Sequence, residues 1–203
     1  MRRGAFPLSV LVFALILFLV SPASAQKTEN VTYKSGDDIV TGYLASPNGV
    51  GKHPAVMVIH EWWGLNDWVK DQAQKFAAQG YMALAVDLYR GQVAKTPDEA
   101  HVLMRGLPDD RGLRDLQAAF AYLASRPDVD AAKIGSIGWC MGGGWSIKLA
   151  EDQPKLAAFV VNYGSHFPPI RTSSPGSKRR CSEISAPKTR ASRPKAFRPS
   201  RTP

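Results

Sequence analysis

The chain has 203 residues, 44% of them hydrophobic and 21% charged, with two cysteines. That length allows one sizeable core and excludes both a small disulfide-framework protein and a wholly disordered chain. The formal charge of +9 invites a nucleic-acid reading, but residues 26–165 carry 14 Lys/Arg against 16 Asp/Glu, while residues 166–203 carry ten Lys/Arg against Glu183 alone. One terminal segment therefore supplies the basic character, and no nucleic-acid partner is expected of the body.

In chain order, Arg2 and Arg3 precede the apolar run Leu8 to Val20, followed by Ala23-Ser24-Ala25 with its small residues. This pattern predicts a signal peptide over 1–25, removed after Ala25. The run is shorter than the roughly 20 residues that cross hydrocarbon, so no stable membrane anchor is expected after cleavage. A periplasmic or secreted location follows, in which thiols can oxidise.

From Glu29 to Gly164 apolar runs alternate with amphipathic stretches, which predicts an α/β fold with a mostly parallel, doubly wound sheet. Strands are expected at Asn30 to Tyr33 and Ile39 to Leu44, as an antiparallel opening pair, then at Ala55 to Ile59, Tyr81 to Val86, Ile134 to Trp139 and Ala157 to Asn162. The later strands are near-continuous apolar segments, as strands covered on both faces should be. Helices are expected at Asp67 to Ala78, Pro97 to Arg105, Arg111 to Ser125 and Gly143 to Glu151, with apolar stripes such as Leu113, Leu116, Ala119, Phe120 and Leu123.

The segment Ile134 to Gly144 reads as a strand entering a sharp turn that opens a helix. Gly138-x-Cys140-x-Gly142 is a nucleophile-elbow pattern with Cys where Ser is more usual. A residue on so tight a turn has a strained backbone, and glycine two positions either side removes the Cβ atoms that would collide. The following helix N-terminus favours thiolate, which makes Cys140 the candidate nucleophile. A second cluster, His60-Glu61-Trp62-Trp63-Gly64, ends the third strand. Loops at the carboxyl ends of parallel strands border the ligand crevice, so His60 and Glu61 are expected near Cys140, with Glu61 holding or taking the thiol proton. The backbone N–H groups of Trp62 and Met141 are the expected oxyanion donors. Trp63 and Trp139, with Trp62 and Trp145, suggest an aromatic-lined crevice for substrate.

Together with Asp87-Leu88-Tyr89-Arg90-Gly91, these two motifs resemble the dienelactone hydrolase (carboxymethylenebutenolidase) family of α/β-hydrolases, over about Gln26 to Ser165. The resemblance implies an α/β-hydrolase-type sheet and hydrolysis of a small lactone or carboxylic ester through an acyl-enzyme on Cys140. It further implies pairing of Glu61 with the resting thiol, and Arg90 as a candidate for binding a substrate carboxylate. It also implies a Cys-His-Asp triad whose Asp and His lie later in the chain. No Asp follows Asp152, and the one later histidine, His166, comes too early to match. The domain is thus expected to be partial at its C-terminal side and catalysis impaired.

Residues 166–203 are Pro-, Ser-, Arg- and Lys-rich without periodicity, the composition of a disordered tail. Read one base out of frame, about Lys178 to Pro194 can decode as a strand, a glycine turn, an Asp and a Pro-rich loop, which suggests a frameshifted origin. Ending the sheet at the strand near Val161 would leave that strand as an exposed edge. The alternative to an enzyme is a degenerate hydrolase body whose basic tail binds an anionic polymer or membrane. Cys181 could pair with Cys140. No metal-ligand spacing and no cofactor fingerprint is found, so no cofactor or metal is expected, and a folded chain is expected to be monomeric.

Overall fold

The computed structural model describes residues 26–164 and 180–183. Residues 1–25, over which a leader is expected, the rest of the tail and the side chain of Cys181, with its suggested disulfide, lie outside the described residues. Seven strands form one sheet: β1 (Lys27–Ser35), β2 (Asp38–Ser46), β3 (His53–Ile59), β4 (Met82–Val86), β5 (Val129–Gly138), β6 (Ala158–Val161) and β7 (Arg180–Glu183). Four helices join them: α1 (Asp67–Ala78), α2 (Pro97–Arg105), α3 (Asp109–Ser125) and α4 (Met141–Asp152). The spatial order is β1-β2-β4-β3-β5-β6-β7. The opening pair is antiparallel, as is β2 against β4. All pairings from β4 through β3, β5 and β6 to β7 are parallel.

Several bounds differ from the sequence reading, β5 starting at Val129 instead of Ile134 and the helix after it at Met141 instead of Gly143. Four residues of the tail form β7, and β6 is therefore flanked on both sides instead of being an edge. Helix α3 also starts two residues earlier than expected, because Pro108, at φ −64°, precedes a first turn carrying Asp109 and Asp110, which suit the positive end of a helix.

The near-continuous apolar strands are explained by burial on both faces. In β4, Met82, Leu84 and Val86 join a core with Leu116, Phe120, Leu123, Trp145 and Leu149 from α3 and α4. The alternate residues Ala83 and Ala85 face Val69, Ala73 and Ala77 of α1. Small residues on that second face let α1 lie close to the sheet. Its start is fixed by the Asn66 side chain, which accepts from the Val69 N–H at 3.1 Å.

Chain direction reverses at β3: the path runs outward to β4, then returns through α2 and α3 to β5 on the other side. In an open α/β sheet, such a switch point leaves a crevice beyond the carboxyl ends of the strands. The register places Ile59 of β3 opposite Gly138 of β5, and Gly138 opposite Val161 of β6. Two residues beyond this common rung come Glu61, Cys140 and Tyr163.

Candidate active site

The turn between β5 and α4 has the expected elbow geometry. Cys140 has φ 52° and ψ −116°, in the region that favours glycine, and it sits at the N-cap of α4 without a capping hydrogen bond from its side chain. The glycines around it are required by space. A Cβ on Gly138 would stand 2.1 Å from the Gly142 carbonyl oxygen, and one on Gly142 would stand 2.3 Å from the oxygen of Ile59. Gly143 has Val161 Cγ1 at 2.9 Å and the Tyr163 oxygen at 3.0 Å from the same ideal position. These contacts bind the elbow to β3 and β6 at once. The turn's own N–H groups close it further, Gly142 donating to the Trp139 oxygen at 2.8 Å and Gly143 to the Cys140 oxygen at 3.1 Å. Cys140 is a free, half-buried thiol, and it lines a cavity of about 260 Å³ between α2, α3 and α4.

Tyr163 links the segment after β6 to the end of β3. Its phenol donates a hydrogen bond to Glu61 Oε1. The Glu61 carboxylate, then burial, push the Tyr163 phenol up to about 12, and the Cys140 thiol lies near enough to add to the rise. Tyr163 therefore stays a proton donor to Glu61 throughout the neutral range. No local motif marks it in the sequence, because the signal for it is the register of β3, β5 and β6.

His60 has a different role from its neighbour. It is fully buried. Its Nδ1 lies 2.6 Å from the Glu61 carbonyl oxygen, and its Nε2 accepts from the Leu88 N–H at 3.2 Å. These two bonds fix one neutral tautomer, with Nδ1 donating, and burial pushes the imidazole below its ordinary range. His60 thus clamps the ends of β3 and β4 together, orienting Glu61 through its backbone. Tyr89 packs edge-on to the His60 ring at 4.8 Å and donates through its hydroxyl to Met141 Sδ at 3.2 Å, joining this clamp to the elbow.

Arg90 is paired within the fold. The guanidinium expected to receive a substrate carboxylate meets two carboxylates of the chain. Its Nη2 reaches both oxygens of fully buried Asp115, at 3.1 and 3.0 Å, and Asp38 at 3.1 Å. Ser35 adds a hydroxyl to Asp115 at 2.5 Å. A buried carboxylate needs a cation, and Arg90 meets that need between β1, β2 and α3. Asp87 shapes the turn that aims it, accepting from the N–H groups of Tyr89 at 3.0 Å and Gly91 at 2.5 Å.

The tryptophans divide between two places. Trp62 stacks edge-on with Trp63 at 5.1 Å and with His101 of α2 at 4.8 Å, forming an aromatic cluster on the loop after β3. Trp139 packs edge-on against Trp68 at 5.1 Å and joins the core beneath α1, so its side chain serves packing. Trp145 is buried, lies against Gly112 of α3, and forms one wall of the cavity beside Cys140. The backbone N–H groups of Trp62 and Met141 head the two segments that flank the switch point. Among the described residues no group of three or more His, Cys, Asp or Glu could hold a metal ion.

Comparison with known proteins gives the family. The model of the dienelactone hydrolase family matches residues 40–187. A putative carboxymethylenebutenolidase of Synechocystis sp. is 34% identical over 151 residues, covering 70% of this chain and 61% of the relative. One from Aquifex aeolicus is 36% identical over 132 residues, covering 62% of this chain and 56% of the relative. The crystal structure of a putative dienelactone hydrolase from Klebsiella pneumoniae subsp. pneumoniae superposes with a TM-score of 0.65 at 28% identity, covering 71% of this chain and 62% of that one. The chain thus spans about six-tenths of the length of the curated relatives it matches.

Proposed function

The chain belongs to the dienelactone hydrolase family, and from that premise we propose that it hydrolyses a small lactone or carboxylic ester through a thioester on Cys140. The observation that carries this reading is the positive φ of Cys140 at the head of α4, between glycines that leave no room for a Cβ, with the side chain lining a cavity. A strained residue of this kind persists only where the surroundings over-determine it, and a helix N-terminus below it favours negative charge.

In the proposed reaction the thiol proton passes to the Glu61 carboxylate as sulfur attacks the acyl carbon. The oxyanion is held by the backbone N–H groups of Met141 and Trp62. The carbon–oxygen bond then breaks, and the leaving oxygen takes the proton back from Glu61. Tyr163 supports this cycle by donating to Glu61 Oε1, which leaves the other carboxylate oxygen for the thiol.

Hydrolysis of the thioester needs a base for water. Among the described residues, His60 has both ring nitrogens engaged, His53 stands at the opposite end of the sheet at the start of β3, and His101 packs against Trp62. We therefore propose that this polypeptide acylates readily and deacylates slowly, and that its leader directs it to the periplasm or beyond. Stopped-flow mixing with p-nitrophenyl butyrate tests the catalytic part. The expected result is a burst of about one equivalent of p-nitrophenolate, then a slow phase that added imidazole accelerates. Absence of a burst, with release no lower in Cys140→Ala, would refute it.

A further inference from the structure

The cavity beside Cys140 points to the class of substrate, an inference that rests on the nucleophile reading above. Its apolar lining is Met104, Leu107, Met141 and Trp145, and its charged lining residues are Asp109 and Lys148. Its volume of about 260 Å³ exceeds the roughly 150 Å³ that accepts benzene in an apolar protein interior. An aromatic ring with a short substituent, or an aliphatic group of similar bulk, fits such a space.

Charge around the cavity argues against an anionic group. Lys148 is its one cation among the described lining residues, and that charge is engaged: Nζ lies 2.8 Å from Asp109 Oδ1 and 4.5 Å from the centre of the Trp145 ring. An adjoining hollow shares Asp109 and Lys148 and adds Asp110, Glu151 and Asp152, so four carboxylates surround one ammonium. Arg90 is held by Asp115 and Asp38. A carboxylate entering here would lose its hydration, meet like charges, and have to displace an existing ion pair to gain a cation.

We propose that the site selects neutral esters or lactones bearing an apolar group of up to about one substituted ring, and discriminates against substrates carrying a carboxylate beside the scissile bond. The apolar group enters the Met104–Leu107–Trp145 cavity, which sets the acyl carbon against Cys140.

Alkylation of Cys140 tests this without requiring turnover. The full chain is treated with iodoacetamide, N-benzyliodoacetamide or iodoacetate, and modification of the Cys140 peptide is followed by mass spectrometry, with glutathione as the reference thiol. Relative to glutathione, the benzyl-to-parent rate ratio at Cys140 should be higher by about tenfold, as expected for burying a ring, and the iodoacetate-to-iodoacetamide ratio should be lower. Met104→Trp, or Leu107→Phe as a second filling variant, should bring the benzyl ratio back toward that of glutathione. Asp109→Asn should raise the iodoacetate ratio by releasing Lys148. A glutathione-like benzyl ratio in the wild type, or a preference for iodoacetate, would overturn the substrate class while leaving Cys140 as the nucleophile. A Cys140 inert to all three reagents would overturn both.

Discussion

Two residues other than glycine have positive φ in the described chain, Arg90 at 57° and Cys140 at 52°. Both follow parallel strands on the same side of the sheet, and both lie in segments that resemble family motifs. Their surroundings differ. The Cys140 side chain projects from a turn packed on the Ile59 carbonyl of β3, the Val161 side chain of β6 and the Tyr163 carbonyl beyond it, and borders a cavity. The Arg90 side chain runs back to Asp115 and Asp38 and is consumed by the fold. Backbone strain therefore marks both a candidate reactive group and a structural brace, and the distinction lies in what the side chain meets.

The largest expected effect breaks the first of these turns. Gly138→Ala drives a methyl group into the Gly142 carbonyl, where the neighbour is backbone and cannot rotate away. We expect a loss of about 4 kcal/mol or more, read as a collapse of the urea midpoint together with loss of selective Cys140 labelling. A variant with an unchanged midpoint would mean that the elbow is loosely packed.

The brace is tested next. Asp115→Ala leaves Arg90 without its buried partner and should cost about 3 kcal/mol while Cys140 labelling per folded molecule stays at the wild-type rate. Should Asp115→Ala instead change the preference for anionic over neutral reagents, Arg90 would be reaching substrate after all.

A smaller effect separates Glu61 from its anchor. Tyr163→Phe removes the donor that holds Glu61 Oε1, so the carboxylate is less firmly oriented to take the thiol proton. Cys140 alkylation at pH 7 should slow roughly threefold, well under the 1.4 kcal/mol of a tenfold change. Glu61→Gln, which removes the proton acceptor itself, should slow it further. A rate that neither variant lowers would uncouple Tyr163 and Glu61 from the sulfur.

The smallest effect concerns His60. Its imidazole titrates below the usual range because burial disfavours the cation. The unfolded chain therefore binds a proton more readily than the folded one, and stability is full above about pH 6.5 and declines as pH falls from there toward the lowered value. Urea midpoints at pH 7.5 and pH 5 should show this decline, and His60→Gln should flatten the part due to this group.

Much of the scaffold can be read in the sequence, for identifiable reasons. Helices α1 and α2 begin and end where capping residues Asn66 and Thr96 and the following Gly80 and Gly106 place them. Strands β3 and β4 are apolar on both faces because α1 covers one and α3 with α4 the other. The elbow is legible because the glycine spacing around Cys140 is a local steric demand. What is not legible depends on distant partners. Asp38 and Asp115 claim Arg90 across 52 and 25 residues, and Tyr163 meets Glu61 across 102. The nearness of His60 to Glu61 in sequence says nothing of the two backbone groups that occupy its ring.

The proposed acyl transfer to Cys140 is tested directly by exposing the full chain briefly to p-nitrophenyl butyrate, quenching in acid and analysing its peptides by mass spectrometry. The expected result is a single butyryl group on the Cys140 peptide and none after Cys140→Ala. A butyryl group on another residue instead, or release of p-nitrophenolate undiminished by Cys140→Ala, would contradict the assignment of Cys140 as the nucleophile.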